Sequence, residues 1–150
     1  MPSFRTVHTV KHSPQKMFEL VADIERYPEF LPLCKKTVNR NRKSVAEGVE
    51  TLFSTMTVGY KALLESFSTF VTLDHNKKQI TCDYVDGPFK CLENKWTFRD
   101  NNGKCDVEFY IAYEFKNRVL GIVMSALFDK VFSKYTEAFE KRADELYKDQ

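Results

Sequence analysis

Residues 119–147, VLGIVMSALFDKVFSKYTEAFEKRADELY, contain no proline and predict one long helix near the end of this 150-residue chain. The sequence before it, from residue 34 to residue 115, has strand-like patterns and no helix of comparable length. One long helix set against one curved antiparallel sheet leaves a gap between the two layers. A gap lined by apolar side chains is a binding cavity, so this layout already indicates a ligand.

The predicted helix has two unlike halves. Its second half carries one apolar stripe, as a helix gripped by a sheet requires: Val131, Tyr135, Ala138, Phe139 and Leu146. Its first half, residues 119–128, has no charged residue and is apolar on nearly every side. Three interpretations stay open for it: full burial, a dimer seam, or peripheral contact with a bilayer surface, aided by Lys116 and Arg118 just before it. The candidate contact residues are Val119, Leu120, Ile122, Val123 and Leu127.

The composition is that of an ordinary globular protein, with 43% hydrophobic and 29% charged residues. The length fits a single domain over residues 1–150, and the 13 phenylalanines suit a cavity wall as well as a packed core. A net charge of +2 is too small to indicate a nucleic-acid partner by itself, and we expect no DNA binding. The densest basic cluster, residues 35–43, fits a solvated strand edge and turn, or a contact with anionic lipid or RNA.

Cysteine and histidine spacings do not indicate a metal centre. The cysteines include no C-x-x-C pair, so we expect reduced, mostly buried thiols at Cys34, Cys82, Cys91 and Cys105. His8 and His12 share a strand face but would stand about 13 Å apart, which is too far for one metal ion.

Local signals divide the rest of the chain into short elements. Residues 4–11 predict a first strand, and Ser13-Pro14 supplies an N-cap and a first helical proline for a short helix. The prolines in YPEFLP, residues 27–32, allow only a short helical turn or a bend. About six further strands follow, with breaks near residues 41–43, 58–59, 75–77, 86–88 and 101–103. The chain therefore predicts an α+β fold with an antiparallel meander of about seven strands.

Several short blocks carry a likeness to a known family. They are DIERYPEFLPLC (residues 23–34), TVGYK (57–61), ESF (65–67), DGPFK (86–90), WTF (96–98) and AFEKRA (138–143). Together they resemble the coenzyme Q-binding, START-like family, whose members are also called oligoketide cyclase or polyketide cyclase/dehydrase-like proteins. The likeness covers essentially the whole chain in order, and the DGPFK and YPEFLP blocks together make it specific.

The resemblance implies a helix-grip fold of the START/Bet v type, with two short helices after the first strand and a sheet wrapped around the long C-terminal helix. It implies non-enzymatic binding of ubiquinone or a polyprenyl precursor in a hydrophobic tunnel, with no required cofactor. The partners would be quinone-biosynthetic or respiratory proteins. Eukaryotic members carry a mitochondrial targeting segment, which the N-terminal MPSFR does not resemble. We therefore expect a cytoplasmic protein, peripheral at a bacterial inner membrane, or a mature mitochondrial protein of the matrix or inner membrane.

A quinone with an isoprenoid tail needs a long apolar slot and a few oriented groups for its head. The expected slot residues are Phe67, Val71, Trp96, Phe98, Phe109, Ile111, Tyr113, Leu127, Val131 and Tyr135. We expect Tyr27, Phe30 and Leu31 to form a lid over the tunnel mouth, with Phe89 beside it. The alternative for the slot residues is that they fill a solid core. For Tyr27, Phe30 and Leu31 it is a hydrophobic plug that only closes the end of the sheet, and for Phe89 it is a turn that holds the ring in the core.

Two other functions stay open. A bacterial branch of the same family is described as a ribosome-association toxin that blocks subunit joining, and residues 35–43 would then contact the ribosome. The cyclase label instead suggests an aromatase or cyclase acting on a polyketide-like substrate. Its base would be Glu65, Asp83 or Glu93, if one of them points into the tunnel. No nucleophile elbow, phosphate loop or H-E-x-x-H motif supports an enzyme.

Overall fold

The computed structural model describes residues 3–60 and 62–148, apart from the side chains of Tyr60, Leu63 and Leu127. The strands within these residues are β1 Ser3–Val10, β2 Cys34–Ala46, β3 Val49–Tyr60, β4 Leu63–Asp74, β5 Gln79–Asp86, β6 Phe89–Asn101 and β7 Lys104–Phe115. The helices are α1 Pro14–Ala22, a 3₁₀ helix Ile24–Glu29, α2 Arg118–Phe132 and α3 Tyr135–Leu146. The strands form one antiparallel sheet in the order β1-β7-β6-β5-β4-β3-β2. The predicted meander and the two short helices after the first strand are confirmed.

Strand alternation sets which side of the sheet faces the core. In β7, Val107, Phe109, Ile111, Tyr113 and Phe115 are all buried, as a period of two requires. Their register partners in β6, such as Trp96 opposite Phe109, lie on the same inner face. Helices α2 and α3 cover this face. The outer face carries mainly polar side chains.

Three of the five predicted turns are confirmed, and two are corrected. Residues 41–43 lie inside β2, where Asn41 has a φ of 56° and the register shifts in a bulge. Asn tolerates this conformation, so the Asn-rich stretch bends the strand without ending it, and the chain turns instead at Gly48. Residues 58–59 also lie within a strand, because Gly59 pairs in β3 and its N–H donates to the carbonyl of Leu33 at 3.0 Å.

The C-terminal helix is bent and divided, whereas the sequence predicted one continuous helix. α2 ends at Phe132 and α3 begins at Tyr135. At the break, the Ser133 hydroxyl donates to the carbonyl of Lys130 at 2.7 Å, and the Lys134 N–H bonds three residues back to Val131. These bonds tighten the last turn of α2 and redirect the chain.

Two histidine–carboxylate pairs hold α3 against the first strand and its extension. His8 Nε2 lies 2.8 Å from Glu140 Oε1, and His12 Nε2 lies 2.7 Å from Asp144 Oδ1. Glu140 and Asp144 are one helical turn apart, so both face the same side. His12 lowers the pKa of the Asp144 carboxyl by hydrogen bonding to its charged form. The two histidines therefore hold the helix in place.

The turn between β5 and β6 requires a glycine. Gly87 has a φ of +143°, and a Cβ built there would lie 2.6 Å from the Cβ of Phe67 and 2.9 Å from its Cα. Both the backbone conformation and the close approach to β4 exclude a side chain.

We predict that Gly87→Ala lowers the free energy of unfolding by roughly 2–3 kcal/mol, because it combines backbone strain with a clash against β4. Gly103→Ala is the matched control, since Gly103 also has a positive φ (+90°) but no atom lies within 4 Å of the position that a Cβ would take there. Denaturant unfolding of both variants measures the difference. Equal losses of stability would contradict the argument from close approach.

Candidate ligand-binding site

A cavity lies between the inner face of the sheet and helices α2 and α3. It leaves about 90 Å³ for the centres of water-sized molecules, within about 930 Å³ of space that no protein atom occupies and that includes open solvent. The volume of about 90 Å³ sets the size of a ligand in this conformation, because the larger volume counts solvent outside the mouth of the cavity. An apolar cavity of about 150 Å³ in another protein holds benzene, so this one admits a group of roughly isoprene size.

Most of the predicted site residues line this cavity. They are Tyr27, Leu31, Phe67, Val71, Phe89, Trp96, Phe109, Ile111, Val131 and Tyr135. Phe98 does not line it, because its ring is buried against Phe18 of α1 at 5.9 Å. Tyr113 does not line it either, since its hydroxyl donates to Asp129 Oδ1 at 3.0 Å and supports α2. Phe30 packs on α3 outside the lining, and the side chain of Leu127 lies outside the described residues.

The sequence reasoning missed a further set of lining residues. They are Ile24, Leu33, Ser54, Met56, Val58, Thr69, Ile80, Cys82, Leu92, Asn94, Phe128, Phe132 and Phe139. Two signals in the sequence could have found several of them. The period of two in β3 places 54, 56 and 58 on one face, and the helical spacing of 128, 132, 135 and 139 forms one stripe.

Phe139 of α3 is the centre of the aromatic packing at one end of the cavity. Its ring centroid lies 5.1 Å from Trp96, 5.3 Å from Tyr27 and 5.2 Å from Phe30, each in an edge-to-face arrangement. This ring joins the sheet, the 3₁₀ helix and α3.

The YPEFLP segment closes the same end and is fastened there. The Tyr27 hydroxyl donates to the carbonyl of Val21, and the Arg142 guanidinium of α3 contacts the Glu29 carboxylate and lies over the Phe30 ring at 5.2 Å. Tyr27 and Leu31 line the cavity from inside this segment. In this conformation the segment forms an end wall of the cavity.

Phe89 lies at the α2 side of the cavity. Its ring stacks on Phe115 at 4.7 Å and also contacts Phe67 and Phe128. None of its ring contacts among the described residues is to the YPEFLP segment. The Tyr84 hydroxyl accepts a hydrogen bond from the Phe89 N–H at 3.0 Å, which fixes the strand where the ring enters the core.

The lining carries no carboxylate and no histidine among the described residues. Burial raises the pKa of the Cys82 thiol to about 12 and raises the pKa values of the Tyr27 and Tyr135 hydroxyls, so all three stay protonated at neutral pH. The candidate bases Glu65, Asp83 and Glu93 do not line the cavity. The arrangement can bind a neutral apolar molecule, but it presents no general base to it.

Helix α2 is apolar on two sides. Met124 and Phe128 are buried, whereas Val119, Ile122 and Val123 expose 72%, 78% and 55% of their surface. Full burial of residues 119–128 is therefore wrong. The three exposed side chains are spaced i, i+3 and i+4 and form one stripe that no described residue covers. No helix within the described residues is long and apolar enough to cross a membrane.

The fold is shared with known proteins. The family model for polyketide cyclase / dehydrase and lipid transport matches residues 10–140. The chain belongs to this family. Within the described residues, the seven-stranded sheet and the bent C-terminal helix are those of the START-like, helix-grip fold. A START superfamily protein from Mycobacterium smegmatis has the same fold, with a TM-score of 0.80 at 19% identity, and covers 96% of this chain and 98% of its own.

The proteins that are similar in sequence carry names that refer to two different functions. The ribosome association toxin RatA of Escherichia coli is 30% identical over 98% of this chain and 90% of its own length. The coenzyme Q-binding protein COQ10 homolog B of Xenopus laevis is 29% identical over 90% of this chain but only 55% of its own. The 18 kDa protein CC1736 of Caulobacter crescentus has a TM-score of 0.82 at 31% identity, covering 98% of this chain and 99% of that one. Family membership and the apolar cavity together support a START-like protein that binds a hydrophobic ligand.

Proposed function

We propose that this START-like protein is a non-enzymatic carrier that binds ubiquinone or a polyprenyl precursor in the cavity and supports respiration or quinone biosynthesis. The observation that carries the proposal is the cavity itself, whose lining among the described residues is rich in aromatic rings and has no charged side chain. Such a lining suits an isoprenoid chain, because each buried CH₂ contributes roughly 0.8 kcal/mol. The name of the COQ10 homologue supports the same ligand class.

The free volume sets a condition on this proposal. A ligand longer than an isoprene-sized group requires the cavity to widen. The side chains that would have to move include Phe128 and Phe132 of α2, which line it. α3 is held by the pairs His8–Glu140 and His12–Asp144 and by Arg142 bonding to Glu29. α2 is therefore the helix that can move away from the sheet. We infer that ligand entry moves α2 away from the sheet about the break after Phe132.

Exchange of such a ligand is least costly at a membrane, because an isoprenoid tail is poorly soluble in water. The exposed stripe of α2 would lie in the bilayer interface, with exposed Lys116 and Arg118 beside it for anionic lipid headgroups. We propose the membrane as the partner of this stripe, because the flanking cations match anionic headgroups and no acidic residue lies between 116 and 128.

Two measurements test the carrier directly. Organic extraction of the purified protein followed by mass spectrometry should detect a bound quinone or polyprenyl lipid. Trp96, the single tryptophan, lines the cavity, so added ubiquinone with two isoprene units should quench its fluorescence in a saturable way. Absence of both signals would refute the proposal.

A second candidate function is association with the ribosome. The relatives named RatA support it, and so does one half of the outer sheet face. There β2, β3 and β4 present exposed Lys36, Arg40 and Lys43 beside the aromatic pair Phe53–Phe70, with hydroxyl side chains between them. No carboxylate points outward from the paired residues 51–57 and 66–72. Asp83 of β5, the exposed register partner of Phe70, bounds this patch on the far side from the cations. Cations next to aromatic rings suit RNA phosphates and bases.

We predict that filling the cavity abolishes ligand binding without unfolding the protein. Val131→Phe adds a ring to the lining, so the affinity for ubiquinone with two isoprene units should fall by about tenfold or more. The thermal midpoint should stay the same or rise, because the cavity shrinks. Val123→Phe, at an exposed position of the same helix, should bind like the parent. Undiminished Trp96 quenching in Val131→Phe would contradict this site.

For the ribosome candidate, excess parent protein should lower the 70S fraction in sucrose gradients. Combining Lys36→Glu, Arg40→Glu and Lys43→Glu should abolish that effect, since each removes a phosphate contact. The charge-matched control combines Lys77→Glu, Lys104→Glu and Lys148→Glu, all exposed elsewhere, and should act like the parent. An unchanged 70S fraction with the parent protein would eliminate this function.

For the membrane contact, Val123→Glu should lower partition onto vesicles of phosphatidylcholine with about one third phosphatidylglycerol by roughly tenfold, because it places a carboxylate in the interface. Its thermal midpoint should stay near that of the parent, since Val123 is largely exposed. Val7→Glu, at a similarly exposed apolar position in β1, should still bind vesicles. Undiminished partition of Val123→Glu onto the vesicles would contradict the membrane contact.

A further inference from the structure

The inner face of the sheet carries two hydroxyl side chains directly opposite each other. Ser54 of β3 and Thr69 of β4 are register partners, expose 4% and 6% of their surface, and both line the cavity. Their neighbours along β3 and β4 are apolar, with Met56 and Val71 in the lining and Leu52 beneath it. Asn39 of β2, the other register partner of Ser54, also has a buried Oδ1 without a partner among the described residues, but it does not line the cavity. A polar pair at this depth is unexpected unless its hydrogen bonds are made.

The same two strands show how paired hydroxyls normally satisfy each other. On the outer face Thr55 and Ser68 lie 2.7 Å apart, oxygen to oxygen, and Thr57 and Ser66 also lie 2.7 Å apart. On the inner face the Ser54 Oγ is fully buried and has no hydrogen-bond partner among the described residues. A buried hydroxyl without a partner is destabilising, and a hydrogen bond to a bound polar atom would recover that loss.

Neighbouring groups limit the charge of that bound atom. Cys82 and Asn94, paired with each other across β5 and β6, occupy the adjacent row of the inner face. The Asn94 amide already donates to the carbonyl of Tyr110 at 2.8 Å, which holds the side chain in place. With no lysine, arginine or histidine among the described lining residues, a carboxylate or phosphate would be desolvated without a counter-charge. Fatty acids and polyprenyl phosphates are therefore disfavoured.

We propose that the Ser54–Thr69 hydroxyl pair binds the neutral oxygen of a carbonyl-bearing head group, with the apolar remainder of the ligand along the rest of the cavity. This inference rests on the proposed carrier function and specifies its ligand class further. A quinone carbonyl accepts a hydrogen bond from a hydroxyl, and the hydroxyl of the reduced quinol donates one. Since Ser and Thr hydroxyls rotate and do both, the pair serves either redox state.

The experiment compares two probes on parent protein and Ser54→Ala. Ubiquinone with two isoprene units carries the head group, and farnesene, a hydrocarbon of similar length, does not. Binding of the quinone is followed by Trp96 quenching, and farnesene by competition. We expect Ser54→Ala to weaken the quinone by about three- to tenfold and to leave farnesene within about twofold. Thr69→Val, which keeps the side-chain shape, should show the same selective loss.

Thr55→Ala removes an outer-face hydroxyl and should leave both probes unchanged. Thermal midpoints of the inner-face variants should equal or exceed that of the parent, since an unsatisfied hydroxyl is removed. Equal affinity of parent and Ser54→Ala for the quinone, or equal losses for both probes, overturns the inference and leaves the carrier function standing. If the parent binds neither probe, both the carrier function and the inference are overturned.

Discussion

The edge-to-face packing of Phe139 is the contact on which the architecture depends. One ring of α3 touches Trp96 of the sheet and Tyr27 and Phe30 of the 3₁₀ segment, so it joins three elements that are far apart in the chain. Aromatic pairs prefer tilted or offset geometries with centroids several ångströms apart, and all three contacts of Phe139 have such a geometry. These contacts close one end of the curved sheet, where the cavity lies.

The sequence predicted the fold well because the fold rests on local signals. The alternation of β7, the Ser13-Pro14 start of α1 and the glycine turns all report short-range constraints. The break after Phe132 escaped prediction because it arises from one serine hydroxyl bonding the backbone, at a position where serine also occurs within continuous helices. The residues around Asn41 predicted a turn because a bulge and a turn require the same backbone conformation of a residue.

The candidate site was predictable only in part. Residues such as Trp96, Phe109 and Ile111 lie where alternation places them, on the inner face and in the lining. Periodicity could not distinguish them from Phe98, which has the same face but is covered by α1. The period of two in β3 places Ser54 on the face of Met56 and Val58, but a serine within a strand normally suggests a solvent-facing position. Whether an inner-face residue lines the cavity or is buried in the core depends on which helix covers it, and that is set by tertiary packing.

The uneven fastening of the two C-terminal helices has a thermodynamic consequence. Side chains of α3 bond to β1, to the residues after it and to the 3₁₀ segment, whereas the polar fastening of α2 to the sheet runs, within the described residues, through the Tyr113 hydroxyl. If the cavity widens by the proposed movement of α2, its closed and open forms differ mainly in the position of that helix. The measured affinity for any guest is its intrinsic affinity multiplied by the fraction of molecules that are open. Each 1.4 kcal/mol that favours the closed form weakens the apparent affinity about tenfold. A membrane surface that binds α2 would favour the open form and restore that affinity. The apparent affinity for a ligand would then depend more on whether the protein is bound to a membrane than on the contacts inside the cavity.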